Sequence, residues 1–356
     1  MIIFSPQYGL QDDSHAGGEF YDFMTLTGLA ERGHKIVILV PYKNKLKYRH
    51  ENLFVHKLPI PLIHVSYLYN IWVFIYAIIL HRKYNFDLIR VHSPYYTGLG
   101  ALLYKKLCNR AMKVVATYHH LEKRFVWNVI DSLAMSSWDK IVTGSEYTKN
   151  NLINSFHCEA GDIEVIYHGI IHYPDLNMKD LLQRQNIAVF CGRLIPRKNV
   201  LFLVDVVRKM NDLITLYIIG GGPDREKIED EIVRSKLSDK IILCGGLSEE
   251  EKNNIYDKSK FFLFPSLDEG FGLAPIEAME RGLAVVSSNL GALQEVVGSG
   301  GVCLPLDSDT WSKKIKYLID TPTKLEEMSL LSKERASFFT WSKSVETFEK
   351  VLLMTR

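Results

Sequence analysis

The apolar residues of this chain alternate between short runs rich in β-branched side chains and longer segments with the period of an amphipathic helix. Parallel strands cannot be joined by a tight turn, so each pair needs a crossover connection, which is usually a helix. An order of strand, helix and strand that persists along a chain is therefore typical of a parallel sheet covered by helices. We predict an α/β fold.

The pattern restarts half-way along the chain. The strands predicted in the first half are residues 2–5, 35–40, 53–58, 88–92, 113–117, 140–143 and 164–167. Those predicted in the second half are residues 187–191, 213–219, 240–244, 260–264, 284–287 and 301–304. Helices are predicted between them, notably at 18–32 and 68–83, and Gly33 is a typical residue for the end of the first.

Residues 168–185 combine Gly, Pro, Asp, Asn and Gln with weak periodicity, which predicts a linker between two domains. A chain of 356 residues is long enough for two domains that each have a core. We predict two doubly wound domains, residues 1–170 and 186–337, that face each other across a cleft. Residues 338–356 predict a helix that packs back toward the first domain. Ligands of such sheets bind beyond the carboxyl ends of the strands, so we expect the functional residues in the loops that follow them.

Charge and cysteine content argue against several classes of protein. The 43 basic residues nearly balance the 41 acidic ones, so a formal net charge of +2 gives no field that favours nucleic acid. The five cysteines form no Cys-x-x-Cys pair and fit a reducing cytoplasm. The amino-terminal residues lack the basic region and apolar core of a signal peptide. We expect a cytoplasmic protein with no nucleic-acid partner.

One apolar segment, residues 62–80, approaches the length of about 20 residues that crosses a bilayer. His64, Ser66 and Asn70 interrupt it, which favours a helix packed on a sheet over a helix that spans a membrane. The basic residues of 43–50 support a third possibility, a helix at the inner face of a membrane, unless they form a solvated loop. Peripheral membrane contact therefore stays open as an alternative.

The most informative loop follows the predicted strand 260–264. Glu269 lies in this loop, and Glu277 lies eight positions later, inside the next predicted helix. Two carboxylates held in this way can bind two hydroxyl-bearing parts of one ligand. Gly270 and Gly272 let a ligand approach the backbone, and the first amides of the helix can bind an anion. The loop predicts a ligand with both hydroxyl and phosphate groups, such as a nucleotide sugar.

Two other loops of the second half carry complementary groups. After strand 187–191, Arg193 and Lys198 place two cations five residues apart ahead of a helix, which suits a diphosphate. After strand 213–219, residues 220–223 are Gly-Gly-Gly-Pro, which permits close approach of a ribose or a base. The full Gly-x-Gly-x-x-Gly pattern is missing, so the sequence does not predict a dinucleotide oxidoreductase.

In the first half, residues 15–19 (His-Ala-Gly-Gly-Glu) open a predicted helix and form a second candidate anion site. Strand 113–117 is followed by the run Tyr-His-His at 118–120. A histidine at the carboxyl end of a strand points to the ligand side of the sheet, where His119 can bond a sugar hydroxyl; His92, at the end of the preceding strand, is an alternative. No spacing of His, Cys, Asp and Glu predicts a metal site, and no Ser-His-Asp arrangement stands out.

Together these residues closely resemble the retaining glycosyltransferases of family 4, over nearly the whole chain. The most specific matches, in the family's order and approximate spacing, are Gly192-Arg193 to Lys198, Gly220 to Pro223, and Glu269-Gly-Phe-Gly to Glu277. In the first half, Gly17-Gly18 and Thr117-Tyr-His119 match the family's glycine loop and its histidine. The resemblance implies the GT-B fold, with two Rossmann-like domains. The first domain would bind the acceptor and the second the nucleotide sugar.

The resemblance also implies roles for individual residues. Arg193 and Lys198 would bind the donor's diphosphate, Glu269 the hydroxyls of the transferred sugar, and Glu277 the ribose. His119 would position the donor sugar near its reacting carbon. The catalytic candidates are therefore His119, Arg193, Lys198 and Glu269. The donor-binding candidates are Gly18, Gly192, Gly220, Gly222, Phe271, Gly272, Leu273, Ala274 and Glu277.

The reaction that the resemblance implies is transfer of a hexose from a nucleoside-diphosphate sugar to a hydroxyl of a glycan or lipid-linked acceptor. It would proceed with retention and without a metal or other cofactor, in cell-envelope or polysaccharide biosynthesis. UDP is the expected nucleotide and GDP the second. No carboxylate of the first domain stands out as a nucleophile, which fits a front-face mechanism. The alternatives are a sugar epimerase or phosphorylase with the same fold, and a non-catalytic sensor of nucleotide sugars.

Overall fold

The chain forms two compact units, each built around a parallel β-sheet. The computed structural model describes residues 1–10, 17–44, 46–59, 66–92, 94–121, 132, 134–156, 158–172 and 182–356. Unit 1 contains Met1–Gly169 and Trp341–Arg356, and unit 2 contains Ile170–Thr340. The predicted linker, 168–185, includes the junction at Gly169 and Ile170, and its residues 173–181 lie outside the described part.

In unit 1 the described residues form a seven-stranded sheet with the order β3-β2-β1-β4-β5-β6-β7, in which all neighbours are parallel. The strands are β1 Ile2–Pro6, β2 Lys35–Val40, β3 Leu53–Lys57, β4 Leu88–His92, β5 Lys113–Tyr118, β6 Lys140–Thr143 and β7 Ile163–Val165. The helices are α1 Gly17–Glu31, α2 Ser66–Tyr84, α3 Pro94–Leu107, α4 Glu146–Phe156 and α12 Trp341–Thr355. Both faces of β2 are buried after its first residue, because helices cover the sheet on each side.

In unit 2 the described residues form a six-stranded sheet with the order β10-β9-β8-β11-β12-β13, again with parallel neighbours. The strands are β8 Gln185–Cys191, β9 Thr215–Ile219, β10 Ile241–Gly245, β11 Ser259–Phe264, β12 Ala284–Ser288 and β13 Gly301–Leu304. The helices are α5 Leu201–Lys209, α6 Arg225–Arg234, α7 Glu249–Lys258, α8 Leu273–Glu280, α9 Leu293–Val297, α10 Ser308–Asp320 and α11 Pro322–Ala336.

The predicted α/β fold is confirmed, and a strand is present at every predicted position. Two boundaries differ for a physical reason. The strand predicted from 213 begins at Thr215, because Asn211 and Asp212 have φ angles of 46° and 65° and turn the chain before it. The strand predicted at 164–167 is β7. It ends at Val165 because β6, its sheet neighbour among the described residues, ends at the paired residue, Thr143.

The last helix of the chain completes the core of unit 1. Val345, Phe348 and Leu352 of α12 are buried among residues of α1 and the first sheet. Gly28 in α1 allows this close contact, because a Cβ at that position would lie 2.7 Å from Cγ2 of Val345. Glu349, on the same helix, pairs with Arg32 at 2.6 Å.

The apolar segment predicted at 62–80 starts outside the described part and continues into α2. This helix packs one side on the core of unit 1 through side chains about one turn apart, Tyr69, Val73 and Ala77. In the described part of the chain, no helix has both the length and the apolar character needed to cross a bilayer. Over 66–80 the favoured prediction of a packed helix therefore agrees with the structure.

In both sheets the strand order reverses at one place. The reversal lies between β1 and β4 in unit 1 and between β8 and β11 in unit 2. Connections leave these adjacent strands in opposite directions, so a crevice opens at their carboxyl ends, where doubly wound sheets bind ligands. The loops after β8 and β11 hold most of the predicted site residues of unit 2, and the chain around β1, β4 and β5 holds those of unit 1.

Candidate active site

The loops after β8 and β11 are fixed to one another by their backbones. A short 3₁₀ turn, Pro196–Lys198, follows β8 and leads into α5. The amide of Leu267 donates to the carbonyl of Arg197 at 2.8 Å, and Oγ of Ser266 lies 3.2 Å from the same oxygen. The two loops therefore hold their side chains in a defined relation.

Glu269 and Lys198, two of the predicted catalytic residues, form an ion pair across these loops. Lys198 Nζ lies 2.5 Å from Oε1 of Glu269, and Arg197 Nη1 lies 3.2 Å from the same oxygen. The hydroxyl of Ser266 donates to this oxygen at 2.6 Å. The side chain of Glu269 is 8% exposed and that of Lys198 is 13% exposed. One carboxylate oxygen thus has three partners in a nearly closed site.

The partners of Glu269 keep it ionised. Burial alone would raise the pKa of its carboxyl, but Lys198, Arg197 and Ser266 outweigh burial and hold the pKa below its ordinary value. Burial lowers the pKa of the Lys198 ammonium, and the attraction of Glu269 opposes this only in part. For both residues, burial favours the neutral form and the ion pair favours the charged form. The carboxylate stays charged because every group on its Oε1 stabilises the charged form. The site therefore offers an acceptor for hydroxyl groups beside a cation for an anion.

The amino terminus of α8 adjoins Glu269. Its N-cap is Gly272, with φ 100°, and the first amides of a helix have no partner inside the helix. Leu273 and Ala274 occupy the first two helical positions. Phe271 is 5% exposed, and its ring lies 5.7 Å from that of Phe339. Its side chain thus belongs to the core, and the part that can face a ligand is its backbone.

Glu277 lies one helical turn further along α8 and has a partner that the sequence did not indicate. Lys252 Nζ, on α7, lies 3.0 Å from Oε2 of Glu277 and 2.9 Å from Oε1 of Glu249. Burial would lower the pKa of Lys252, but the two glutamates outweigh it and raise the pKa. The side chain of Glu277 is 33% exposed, so it can bind hydroxyl groups while Lys252 holds one of its oxygens.

Arg193 and the glycine loop after β9 complete this edge of unit 2. The Arg193 side chain is exposed and forms no ion pair with a described residue, which leaves it available for an anion. A Cβ on Gly220 would lie 2.0 Å from the carbonyl oxygen of Gly192, so the loops after β8 and β9 pack backbone to backbone. Gly222 packs on Leu194 in the same way, at 2.3 Å.

Gly221 differs from the glycines on either side of it. A Cβ at Gly221 would meet no atom within 4 Å. Gly220 and Gly222, the predicted donor-binding residues of this loop, are thus required by its own packing. Gly221, which the prediction omitted, is the glycine of this loop with open space beside it.

In unit 1 the structure brings Gly18 together with both candidate histidines. A Cβ at Gly18 would lie 3.7 Å from Cδ2 of His119 and 3.8 Å from Nε2 of His92. The two rings also contact each other, with His119 Nε2 at 3.2 Å from His92 Nδ1. His15 and Ala16 of the predicted anion loop lie outside the described residues.

A buried ion pair lies beneath these histidines. Arg90 is fully buried, Asp22 is 1% exposed, and the guanidinium contacts Asp22 Oδ1. His92 Nδ1 lies 2.9 Å from the same carboxylate oxygen. Burial would raise the pKa of Asp22, but Arg90 and then His92 outweigh it and lower the pKa. A charged carboxylate is therefore fixed behind His92.

His119 and the neighbouring His168 are both neutral at physiological pH. Burial, with smaller contributions from His92 and His168, holds the pKa of His119 well below its ordinary value. Burial likewise lowers the pKa of His168 to about 3. The His168 ring lies on Tyr21, with a centroid distance of 4.2 Å. Neutral rings can donate and accept hydrogen bonds, but they bring no charge to an anion.

The sequence analysis did not identify several of these residues. Arg90 had a readable signal, since it is a charge inside the apolar run Leu-Ile-Arg-Val of β4. Asp22 stands four positions after Gly18 on the same helix, which also places it on the same face. Lys252 follows three glutamates in a run typical of a solvated helix, and His168 lies at the start of the predicted linker. Neither of these two carried a signal.

Two family models match successive parts of the chain. "Glycosyltransferase Family 4" matches residues 17–172, and "Glycosyl transferases group 1" matches residues 176–335. The chain belongs to the family 4, group 1 glycosyltransferases. Its two parallel sheets with flanking helices form the GT-B architecture of this group.

Similar proteins agree with this assignment. An uncharacterized glycosyltransferase of Methanocaldococcus jannaschii is 28% identical over 331 residues, which cover 88% of each chain. The MMP alpha-(1->4)-mannosyltransferase of Mycolicibacterium hassiacum is 25% identical, over 76% of this chain and 72% of the relative. The structure of sucrose-phosphate synthase from Thermosynechococcus elongatus has a TM-score of 0.84 at 18% identity, over 99% of this chain and 98% of that one. This last likeness shows the shared fold.

In this glycosyltransferase the predicted residues thus form two clusters. Lys198 and Glu269 are in direct contact in unit 2, and Glu277 lies further along the helix that follows Glu269. Gly18 and His119 are in contact in unit 1, together with His92.

Proposed function

We propose that this glycosyltransferase moves a hexose from a nucleoside-diphosphate sugar to a hydroxyl of a glycan or lipid-linked acceptor, with retention at the anomeric carbon. The observation that carries the proposal is the nearly buried Lys198–Glu269 pair at the carboxyl edge of β8 and β11. It sets a cation for the diphosphate beside an acceptor for sugar hydroxyls. UDP is the first candidate nucleotide and GDP the second, and the similar mannosyltransferase favours a hexose.

Lys198 changes partner when the donor binds. In the free protein its ammonium is paired with Glu269. A diphosphate carries more negative charge than one carboxylate, so it draws the ammonium toward itself, and exposed Arg193 adds a second cation. Glu269, still held by Ser266, then accepts hydrogen bonds from the sugar hydroxyls. The amides at the start of α8 bind the remaining phosphate and sugar oxygens.

Glu277 binds the two hydroxyls of the ribose. A carboxylate accepts but cannot donate, so it suits a vicinal diol whose hydroxyls both donate. Lys252 fixes the direction of this carboxylate through Oε2. In unit 1, Gly18 permits close approach of the phosphate, and His119 bonds the sugar near its reacting carbon.

The chemical step exchanges one bond at the anomeric carbon for another on the same face. The bond to the diphosphate oxygen breaks and its electron pair stays on the phosphate, while the acceptor oxygen forms the new glycosidic bond. The proton of the acceptor hydroxyl passes to the leaving phosphate oxygen. Lys198 and Arg193 stabilise the charge that develops on that phosphate. Since these cations are part of the chain, we propose a reaction that needs no divalent metal.

The experiment that tests this function is a search for a donor and its product. We expect one nucleotide sugar of a UDP- and GDP-linked panel to raise the melting temperature, because a ligand at about 100 times its Kd adds about 2.7 kcal/mol of stability. Incubation with glycan and lipid-linked acceptors should then give a new glycoside with the donor's anomeric configuration. EDTA should leave its rate unchanged.

The same assay separates the alternatives. A sugar epimerase would return an isomer of the donor, a phosphorylase would give a sugar phosphate, and a sensor would bind the donor without turnover. Any of these results in place of a glycoside would refute the transfer. An inverted glycoside would refute retention alone.

We also propose that unit 1 contacts the inner face of a membrane during envelope or polysaccharide synthesis. The side of α2 that faces away from the core is apolar: Leu68, Ile71 and Ile79 follow one another at helical spacing and are 45%, 53% and 49% exposed. The last turn of the same helix contains the exposed residues Arg82 and Lys83. An apolar face that ends in basic residues suits an anionic lipid surface and a lipid-linked acceptor.

A further inference from the structure

The contacts between Asp22, His92 and His119 determine where the proton of His119 lies. A charged carboxylate accepts hydrogen bonds and cannot donate them. His92 Nδ1 lies 2.9 Å from Oδ1 of Asp22, and a lone pair on this nitrogen would face the negative charge, so the nitrogen carries a hydrogen. The ring of His92 can be neutral or protonated, and Nδ1 carries a hydrogen in both forms.

The same nitrogen of His92 also meets His119. His119 Nε2 lies 3.2 Å from His92 Nδ1, so the hydrogen on His92 is donated to His119. This contact is a hydrogen bond if Nε2 of His119 is unprotonated. With a hydrogen on Nε2 as well, two N–H groups would face each other at this distance. His119 Nε2 is therefore an acceptor.

One hydrogen is then left to place on the neutral His119 ring. Burial holds the pKa of His119 well below its ordinary value, so the ring carries a single hydrogen at neutral pH. With Nε2 unprotonated, that hydrogen is on Nδ1. Nδ1 is buried and has no hydrogen-bond partner among the described residues. A buried donor without an acceptor is destabilising, and a ligand oxygen that accepted its hydrogen would remove this cost.

We propose that Asp22, Arg90 and His92 are positioning residues that fix His119 in the Nδ1–H tautomer, so that it donates a hydrogen bond to an oxygen of the transferred sugar. Arg90 holds the charge of Asp22, Asp22 orients His92, and His92 bonds the edge of His119 that faces Gly18. Nδ1 lies on the opposite edge of the ring. The statement about the sugar rests on the proposed function, whereas the tautomer does not.

The tautomer is measured directly by NMR on protein labelled with ¹⁵N-histidine, without ligand. A protonated and an unprotonated ring nitrogen differ widely in ¹⁵N shift, and the His119 pair is identified by its loss in His119→Asn. We expect hydrogen on Nδ1 and none on Nε2 in the native protein. Hydrogen on Nε2 would overturn the inference.

The cause is tested with His92→Phe, which keeps a ring but removes the donor and leaves the Asp22–Arg90 pair in place. His119 should then populate the Nε2–H tautomer. The matched control is His56→Phe on β3, another half-buried histidine of unit 1, whose Nε2 lies 2.9 Å from the hydroxyl of Tyr84. It should leave His119 unchanged. An unchanged His119 spectrum in His92→Phe would overturn the role of His92.

Donor binding provides the functional measurement. If the fraction of Nδ1–H tautomer falls to f in His92→Phe, the Kd for the nucleotide sugar should rise by a factor of 1/f, whereas the Kd for the nucleoside diphosphate alone should not change. An unchanged nucleotide-sugar Kd despite an altered tautomer would overturn the contact with the sugar. Failure of the native protein to bind any nucleotide sugar would instead refute the proposed function and leave the tautomer standing.

Discussion

Glu269 combines three hydrogen-bonding or ionic partners with almost no contact with water. The free energy of such a pair depends on both members, because removal of one leaves the other charge buried without compensation. Under the proposed function, stability and catalysis are therefore coupled at this residue. A substitution that keeps shape and hydrogen bonding separates the two better than one that leaves a cavity.

Glu269→Gln should lower kcat by roughly 10²–10³-fold, because the amide is a weaker acceptor for sugar hydroxyls and leaves Lys198 without its counterion. Lys198→Met should lower kcat by a similar factor, because it removes the positive charge that stabilises the leaving phosphate. Each should cost about 1–3 kcal/mol in urea unfolding. Lys324→Met, which breaks the exposed pair with Glu327, is the control and should change neither quantity measurably. Native kcat in Glu269→Gln would contradict the role of this residue.

His168 makes the stability of unit 1 dependent on pH. Its pKa is about 3 in the folded protein, against about 6.5 in an unfolded chain, because the ring is buried. Between these values the unfolded chain binds a proton that the folded protein does not. The contribution of His168 to the free energy of unfolding is thus complete above about pH 6.5 and is lost as the pH falls toward 3.

His168→Phe should therefore reduce the fall in the free energy of unfolding between about pH 6 and pH 4. The expected difference in slope is at most about 1.4 kcal/mol per pH unit, and urea unfolding at several pH values measures it. The control is His120→Phe, since His120 is exposed in the folded protein. Equal slopes for the native protein and His168→Phe would show that burial does not keep the ring neutral.

At the scale of elements, α2 has two apolar sides with different surroundings. One side packs on the core of unit 1, while Leu68, Ile71 and Ile79 form a line on the exposed side. Because both sides of the helix are apolar, its sequence does not indicate which side packs on the core. The packing of unit 1 decides which side is covered and which remains for a partner.

The double substitution Ile71→Ser and Ile79→Ser should weaken sedimentation with anionic liposomes at low salt by roughly tenfold or more, through loss of apolar area at the lipid surface. Urea unfolding should change little, because both side chains are about half exposed. Leu330→Ser on α11 removes an equally exposed side chain from unit 2 and should leave sedimentation unchanged. Absence of liposome binding by the native protein would remove the membrane proposal.

At the scale of the whole molecule, unit 1 is built from two separate segments of the chain, with unit 2 between them in the sequence. The chain leaves unit 1 at Gly169, forms unit 2, and returns at Trp341 to add α12 to the first core. Phe348 is fully buried there, and its ring lies 5.2 Å from the guanidinium carbon of Arg90. The last residues of the chain therefore contribute to the environment of the Asp22–Arg90 pair.

Phe348→Ala should destabilise unit 1 by about 3–5 kcal/mol, because it leaves a cavity in that core. Hydrogen exchange should show faster exchange in α1 and β2, with little change in the sheet of unit 2. Leu353→Ala, on the same helix but 52% exposed, should stay within about 0.5 kcal/mol of the native protein. Equal loss of protection in both units would mean that they unfold as one cooperative body.

The sequence alone determined the order of strands and helices and the loops that carry chemistry. The period of apolar residues is a local property, so β8 and β11 could be read from the chain together with the residues that follow them. The match of Arg193, Lys198, Glu269 and Glu277 to a family pattern then indicated a nucleotide-sugar site. These conclusions need no knowledge of which strands are neighbours.

The tertiary structure decided which of these groups meet. Lys198 and Glu269 are 71 positions apart, and they touch because the sheet order places β8 beside β11, which no local period encodes. The same holds for the contact of Lys252 with Glu277 and for that of Arg90 with Asp22, where a charge that looked solvated or misplaced has a partner of opposite charge on another element. Long-range pairing depends on the path of the whole chain. The tertiary structure therefore decided that the two glutamates predicted to bind one ligand lie in two ion pairs, each with its own lysine.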